Sequence, residues 1–472
     1  MMVASICAAS VKDGIDLYKR GKLDEAIATL RRAAQDDPND AAAREWLGFA
    51  LLRKSSFSEA VTELQHARAL KADSPELRCN LGMAYIGLGE YQKAVAEFQE
   101  ALKARPNWGE CLDNLGTAYI RLKQLDKAVG TYTKAAAASP KNASIRNNLG
   151  LALQETGKLT EAIAEFRKAL ALAPKNAEFA VNLGWALKLK GEYANAQAAF
   201  EKALAADADN YNARLGLAEV FAAQGQDDKA ARLYESAAKL KPGEVTPLYN
   251  LGVLRIRQAE FAKAVEALQA AANIAPDDIE VMAYLGWAQF KTGQTEKALE
   301  NLNRAVKAKP DYQAAWVNLA TVHTAQGNTA EAMNAWKSVL KASPNSLGAN
   351  INLGSLSLRE GNSAEAAKYY EAALKIDPKS AEAHFGLGAA VSKLGKTDLA
   401  ITHYRKAIES NPKMASAYNN LGVELEKKGR IEEAKEQYRK ALKVDPKNGE
   451  ARRNLDRFDD APPAGEEKPE AG

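Results

Sequence analysis

Histidine and cysteine, the residues that most often carry metal or nucleophilic chemistry, are scarce here, at four and three in 472 residues. His66, His323, His384 and His403 show no ligand spacing of the H-E-x-x-H kind, and no carboxylate or metal partner is evident beside His384 and His403. Cys7, Cys79 and Cys111 cannot all pair within one chain and form no C-x-x-C. They read as small, partly buried residues of a reduced protein. The chain also lacks G-x-S-x-G, G-x-x-x-x-G-K-[ST] and a dinucleotide fingerprint after a strand, and no strand is evident. No apolar run approaches the roughly eighteen residues of a transmembrane helix. Charge of one sign is missing too: 64 Lys and Arg against 60 Asp and Glu leave +4, spread without a basic stripe. These absences point away from catalysis, cofactors, metals, nucleic acid and an integral membrane segment.

What is present is a period. In steps of 34, glycine returns at 14, 48, 82, 116, 150, 184, 252, 286, 354, 388 and 422, with Ala218 and Ala320 in the gaps. Alanine fills every place from Ala26 to Ala434, and a second alanine column runs from Ala33 to Ala441, broken only by Val339. Thirteen units occupy positions 7–448 without insertion or deletion. The small columns mark close approach of paired helices, where a larger side chain overpacks by about 1–3 kcal/mol. Four residues after the first alanine column stands a large residue such as Phe98, Phe166, Phe200, Tyr370 or Tyr438, on the same buried helix face. A proline column ends the second helix. Two residues later Asp40, Ser74, Asn142, Asn176, Asn210, Asp278, Ser346, Ser380 and Asn448 supply N-caps. A second glycine column, from Gly21 to Gly429, marks the turn inside each pair.

The Leu-Gly pair seven and eight residues into each unit, followed by Ala, a large residue, Ala and Pro, resembles the tetratricopeptide repeat. That resemblance implies an all-α, right-handed superhelical solenoid of helix-turn-helix repeats, in which the first helix of each pair lines a concave groove. Asp13 stands where Leu is expected, which makes the first unit degenerate or an atypical cap. Residues 449–460 repeat the start of a unit with Asp456 in place of Gly and read as a capping helix; 461–472 read as a disordered tail. Residues 1–6 are a ragged start or a signal remnant. Two readings of residues 2–9 stay open: the start of the first helix, with a cytoplasmic location, or a truncated export signal without its basic segment, with a periplasmic or membrane-associated one.

In the family, positions 2, 5, 6, 9, 12 and 13 of each unit face the groove. Position 6 is asparagine at Asn80, Asn114, Asn148, Asn182, Asn250, Asn318, Asn352 and Asn420, and again at Asn454 in the cap. An amide offers donor and acceptor together, so it can pair with an extended peptide backbone. The ladder resembles that in the repeat arm of O-linked N-acetylglucosamine transferase; asparagine before Leu-Gly is also a habit of the repeat, and both readings stand. Trp46 and Phe49 form an apolar pair near the amino end. Trp185, Tyr249, Val253, Ile256, Tyr284, Trp287 and Phe290 make the middle of the groove rich in apolar side chains, as binding hot spots are. Arg121, Lys188, Arg257, Lys291, Arg359 and Lys393 fall at the groove edge. No unit has Lys at position 5 or Asn at position 9, so a clamp for a terminal carboxylate is not expected. The expected function is a non-catalytic scaffold for a protein or peptide partner, with self-association at its ends open. Alternatives are a substrate-recruiting subunit of an enzyme complex and an exported bacterial envelope assembly factor.

Overall fold

The computed structural model describes residues 10–70 and 73–459. Cys7, both readings of the amino terminus and the tail lie outside these residues. Each unit is a pair of antiparallel helices whose bounds repeat with the sequence period. In the fifth repeat the first, or A, helix is Ala143–Glu155 and the second, or B, helix is Leu159–Leu172. In the twelfth they are Ala381–Lys393 and Thr397–Ser410. One further helix, Gly449–Asp459, follows the thirteenth pair. Among the described residues there is no strand.

Local chemistry sets the ends of these helices. All nine expected N-cap side chains accept a first-turn backbone N–H: Asp40 from Ala42 and Ala43, Asn210 from Ala213, Asn448 from Ala451. Each such cap is worth about 1 kcal/mol. Ser10 caps the first helix in the same way, and Asp13 is exposed there. Inside each pair the turn passes through the left-handed region, with all ten glycines of the second column at φ of 73–82°. The remaining three repeats put Ser55, Lys123 and Ala259 into the same conformation, at φ of 63°, 57° and 58°. For a side chain with a Cβ this region costs about 1–2 kcal/mol, partly offset by the greater unfolded-state freedom of glycine. Ala259 is exposed and packs against nothing that glycine would lose. Ala259→Gly is therefore expected to stabilise the protein by up to about 1 kcal/mol in chemical denaturation. A loss of stability would show that the turn does not carry this strain.

The repeats form two compact units, Met1–Pro242 and Gly243–Gly472. Within each, the B helix of one repeat packs on the A helix of the next, and most successive A helices touch. All thirteen alanines of the first column have no exposed surface. The first glycine column explains itself in the same terms: a Cβ on Gly82 would lie 2.6 Å from the Phe98 ring, and one on Gly150 2.6 Å from the Phe166 ring. The large B-helix residue presses directly on the A-helix backbone.

A further device recurs at position 4 of the A helix. The proline column leaves a carbonyl in the turn between repeats without a helical donor. Arg44, Arg146, Arg214, Trp316 and His384 each reach back six residues to bond that carbonyl, on Pro38, Pro140, Ala208, Pro310 and Pro378, at 2.7–3.1 Å. In repeats 2, 3 and 5 the same arginine column also pairs with a glutamate of the B helix: Arg44–Glu63 at 2.8 Å, Arg78–Glu97 at 3.2 Å and Arg146–Glu165 at 3.0 Å. One side chain thus ties the inter-repeat turn, the A helix and the B helix together.

Candidate functional site

The eight ladder asparagines are all half-buried, on the A helices. What their amides bond depends on position 5 of the preceding repeat. Where that residue is Asp or Asn, the ladder amide donates to it: Asn148 to Asp113 at 3.0 Å and Asn182 to Asn147 at 2.9 Å. Asn454 of the last helix donates to Asn419 at 2.9 Å, so the cap joins the array through the same bond. Burial raises the carboxyl pKa of Asp113, and the bond from Asn148 opposes that rise. At two places where position 5 has no side-chain acceptor, Val317 and Ala283, the amide turns to backbone. Asn318 donates to the Ala283 carbonyl at 3.3 Å and Asn352 to Gly348 of its own helix at 2.8 Å. Asn80 donates to the Glu76 carbonyl of its own helix at 2.9 Å although position 5 before it is Glu45, whose carboxylate instead accepts from Ser74. Asn420 accepts from the neighbouring Asn419 at 3.2 Å. Asn114 and Asn250 share the same helix phase and half-burial. The bonds of Asn148, Asn182 and Asn318 each use one N–H, leaving the other N–H and the Oδ1 outside that bond.

The aromatic residues are half-buried rather than open, because they pack on one another. Trp185 meets the buried Phe200 ring edge-on at 5.4 Å, Tyr249 meets Tyr284 at 5.6 Å, and Trp287 tilts against Phe290 at 5.8 Å. In the first unit Trp46 stacks edge-on with both Tyr18 and Phe49. Burial, then neighbours Tyr284 and Glu280, push the Tyr249 phenol pKa up; burial and Glu280 do the same for Tyr312.

In the second unit these side chains border an open cleft of about 560 Å³ between the A helices of repeats 8, 9 and 10. Ile256, Trp287 and Val317 give it an apolar floor, Tyr284 and Tyr312 its walls, and Gln313 and Asn318 its polar atoms. These residues stand at positions 1, 5, 6, 9 and 12 of their repeats, with Tyr312 ending the turn. Lys291 is exposed beside the cleft, its Nζ 5.5 Å from the Trp287 ring centroid and 5.3 Å from that of Phe261. Lys188 behaves differently: it lies over Trp185 and is paired with Glu219. Arg121, Arg257, Arg359 and Lys393 are exposed.

Some features escaped the sequence reading. Met83 and Leu151, at position 9 of repeats 3 and 5, are 37% and 38% exposed, and Leu189 at position 13 of repeat 6 is 69% exposed. With Phe49 and Trp185, Met83 and Leu151 make position 9 of the first unit largely apolar, a signal visible by reading that column. The cysteines Cys79 and Cys111 are fully rather than partly buried, and the Cys111 thiol together with burial pushes the Cys79 thiol pKa up. His384 and His403, which have no evident partner in the sequence, partner each other across one helix pair, Nδ1 to Nδ1 at 3.1 Å. Because a carbonyl only accepts, His384 must hold its proton on Nε2 to bond Pro378, so His403 Nδ1–H donates to the bare Nδ1 of His384.

Among the described residues, no group of three or more His, Cys, Asp or Glu side chains is placed to hold a metal ion. No described helix is long and apolar enough to cross a membrane.

Comparison with known proteins agrees with this architecture. Models described as tetratricopeptide repeat match residues 73–141, 114–177, 187–251, 245–278, 285–347, 351–415 and 415–448, and one described as TPR repeat matches 14–55. Among curated protein sequences no relative matches. Among solved structures, a chain of the APC/C hetero-tetramer Cut9–Hcn1 is 14% identical, with 94% of each chain covered and a TM-score of 0.43. YrrB, described as a TPR protein with an unusual peptide-binding site, is 22% identical over 40% of this chain and 97% of its own, with a TM-score of 0.37. A tetratricopeptide repeat protein from Parabacteroides merdae is 19% identical over 52% and 97%, at 0.40. Repeat spacing, helix pairing and family models converge: the chain belongs to the tetratricopeptide-repeat proteins, a family of protein–protein interaction scaffolds.

Proposed function

We propose that the protein is a non-catalytic scaffold that holds extended polypeptide segments along the A-helix face of its repeats. The observation that carries this reading is the set of half-buried amides at position 6, several with an N–H and an Oδ1 outside their inter-repeat bonds. Neighbouring helices pack about 8–10 Å apart and a strand rises about 3.3 Å per residue. A row of such amides therefore meets a peptide backbone about once every three residues, whatever its sequence. Each bond contributes about 0.5–1.5 kcal/mol net, so several rungs act together. The apolar side chains at position 9 lie one helical turn from this row and give side-chain purchase.

The test is affinity purification with mass spectrometry from native extract, comparing wild type with Asn148→Ala/Asn182→Ala/Asn250→Ala/Asn318→Ala. A partner set is expected to disappear in the variant, while circular dichroism and thermal unfolding on the same sample separate lost binding from lost fold. An unchanged partner set from a folded variant would confine the asparagines to repeat stacking.

A further inference from the structure

We infer that the cleft between the A helices of repeats 8, 9 and 10 is an anchor pocket for a large apolar side chain in a segment that carries a carboxylate beside that side chain. This rests on the scaffold reading above and goes further, to the chemistry of the occupant. Three observations carry it. The cleft, at about 560 Å³, holds a side chain with its adjoining backbone, and its floor of Ile256, Trp287 and Val317 is apolar. Half-buried aromatic floors of this kind dominate binding energy. Asn318 lines the same cleft with its Oδ1 outside its bond to Ala283, so it can accept from a backbone N–H that flanks the anchor.

Charge fixes the rest. Lys291 is one helical turn beyond Trp287, about 6 Å along the helix, and its ammonium is exposed above the Trp287 ring. Position 13 is basic again at Arg257 in repeat 8, and at Arg359, Lys393 and Lys427 in repeats 11 to 13. Glu280, exposed at position 2 of the same A helix, comes eleven residues before Lys291, so the two charges stand near opposite ends of that helix with Tyr284 and Trp287 between them. The apolar cleft thus lies between a cationic end and an anionic end of the repeat-9 A helix. A carboxylate one or two residues from the anchor, at about 3.3 Å per residue, comes within reach of Lys291. A basic residue there would meet like charge, which disfavours it.

The experiment is selection of a random dodecapeptide library, displayed on phage, against the immobilised full-length chain. Selection is repeated on Trp287→Ala and Lys291→Glu, each first shown to unfold like wild type. Enriched peptides are expected to carry Phe, Trp, Leu or Ile with Asp or Glu within two residues. The same peptides, made synthetically, should bind Trp287→Ala at least tenfold more weakly. On Lys291→Glu the preference should turn from Asp or Glu to Lys or Arg at that place. Enriched peptides without this pattern, or peptides indifferent to both substitutions, would overturn the anchor and leave the scaffold reading standing. No enrichment above a bare support would overturn both.

Discussion

Phe200→Ala is expected to be the most damaging single truncation in the first unit, at about 3–5 kcal/mol. The ring is fully buried and serves two repeats at once. A Cβ on Gly184 in its own repeat would lie 2.7 Å from it, and one on Gly216 in the next repeat only 2.3 Å. Position 6 of the seventh repeat is glycine rather than asparagine, and the ring fills the space an amide would take. Because a repeat array is held by nearest-neighbour contacts, the loss falls on the junction of repeats 6 and 7. Urea unfolding followed by circular dichroism should show an early transition absent from wild type. Gly216→Ala, which overpacks the same place, is expected to cost about 1–3 kcal/mol. Combined with Phe200→Leu, it should cost less than the sum of the two, since the smaller side chain vacates the contested volume. Additive losses would mean that the two residues do not share that space.

The second large effect is on pH dependence, and it comes from the twelfth repeat. Burial, then His384 and Lys406, push the His403 pKa down to about 4; burial lowers that of His384, with Lys406 adding to it and Asp377, Glu409 and the Pro378 carbonyl opposing it. A proton added to His384 would have to sit on Nδ1 and would set two N–H groups face to face across 3.1 Å. Both folded pKa values lie below the unfolded value of about 6.5, so the unfolded chain binds more protons between them. Stability from the pair is therefore complete above about pH 6.5 and is lost as pH falls toward 4. His403 is half-exposed, and solvent screening limits the loss to about 1–2 kcal/mol. His384→Arg/His403→Glu restores the arginine–glutamate clasp of repeats 2, 3 and 5. Melting temperature against pH should then fall less steeply between 6.5 and 4.5 than in wild type. Parallel curves would show that the imidazoles do not titrate as a unit.

Much of this architecture was legible in the order of residues because it rests on backbone geometry, which acts locally. The proline and N-cap columns and the turn glycines set helix ends through contacts within a few residues, so Asn210 or Gly361 announces its role by itself. Ser55, Lys123 and Ala259 adopt the glycine conformation because the packed helix pair on either side dictates the turn, against their own preference. The site was legible in phase and not in detail. An asparagine at position 6 is the same letter in repeats 5 and 11, yet Asn148 bonds a side chain and Asn352 its own backbone. The difference lies 35 residues upstream, in Asp113 against Val317. The position-4 latch hid for a similar reason: arginine, tryptophan and histidine look unrelated until a single carbonyl acceptor shows that each supplies an N–H at the same reach.

The most direct test of the scaffold account is site-specific photo-crosslinking in native extract. A photoreactive phenylalanine replaces Leu151 or Trp287 on the A-helix face, or Lys168 on an exposed part of a B helix as a control. The account predicts partner adducts from the two A-helix positions, competed by excess unmodified protein, and none from Lys168. Adducts from Lys168 with none from Leu151 and Trp287 would contradict it and move the binding surface to the other side of the repeats.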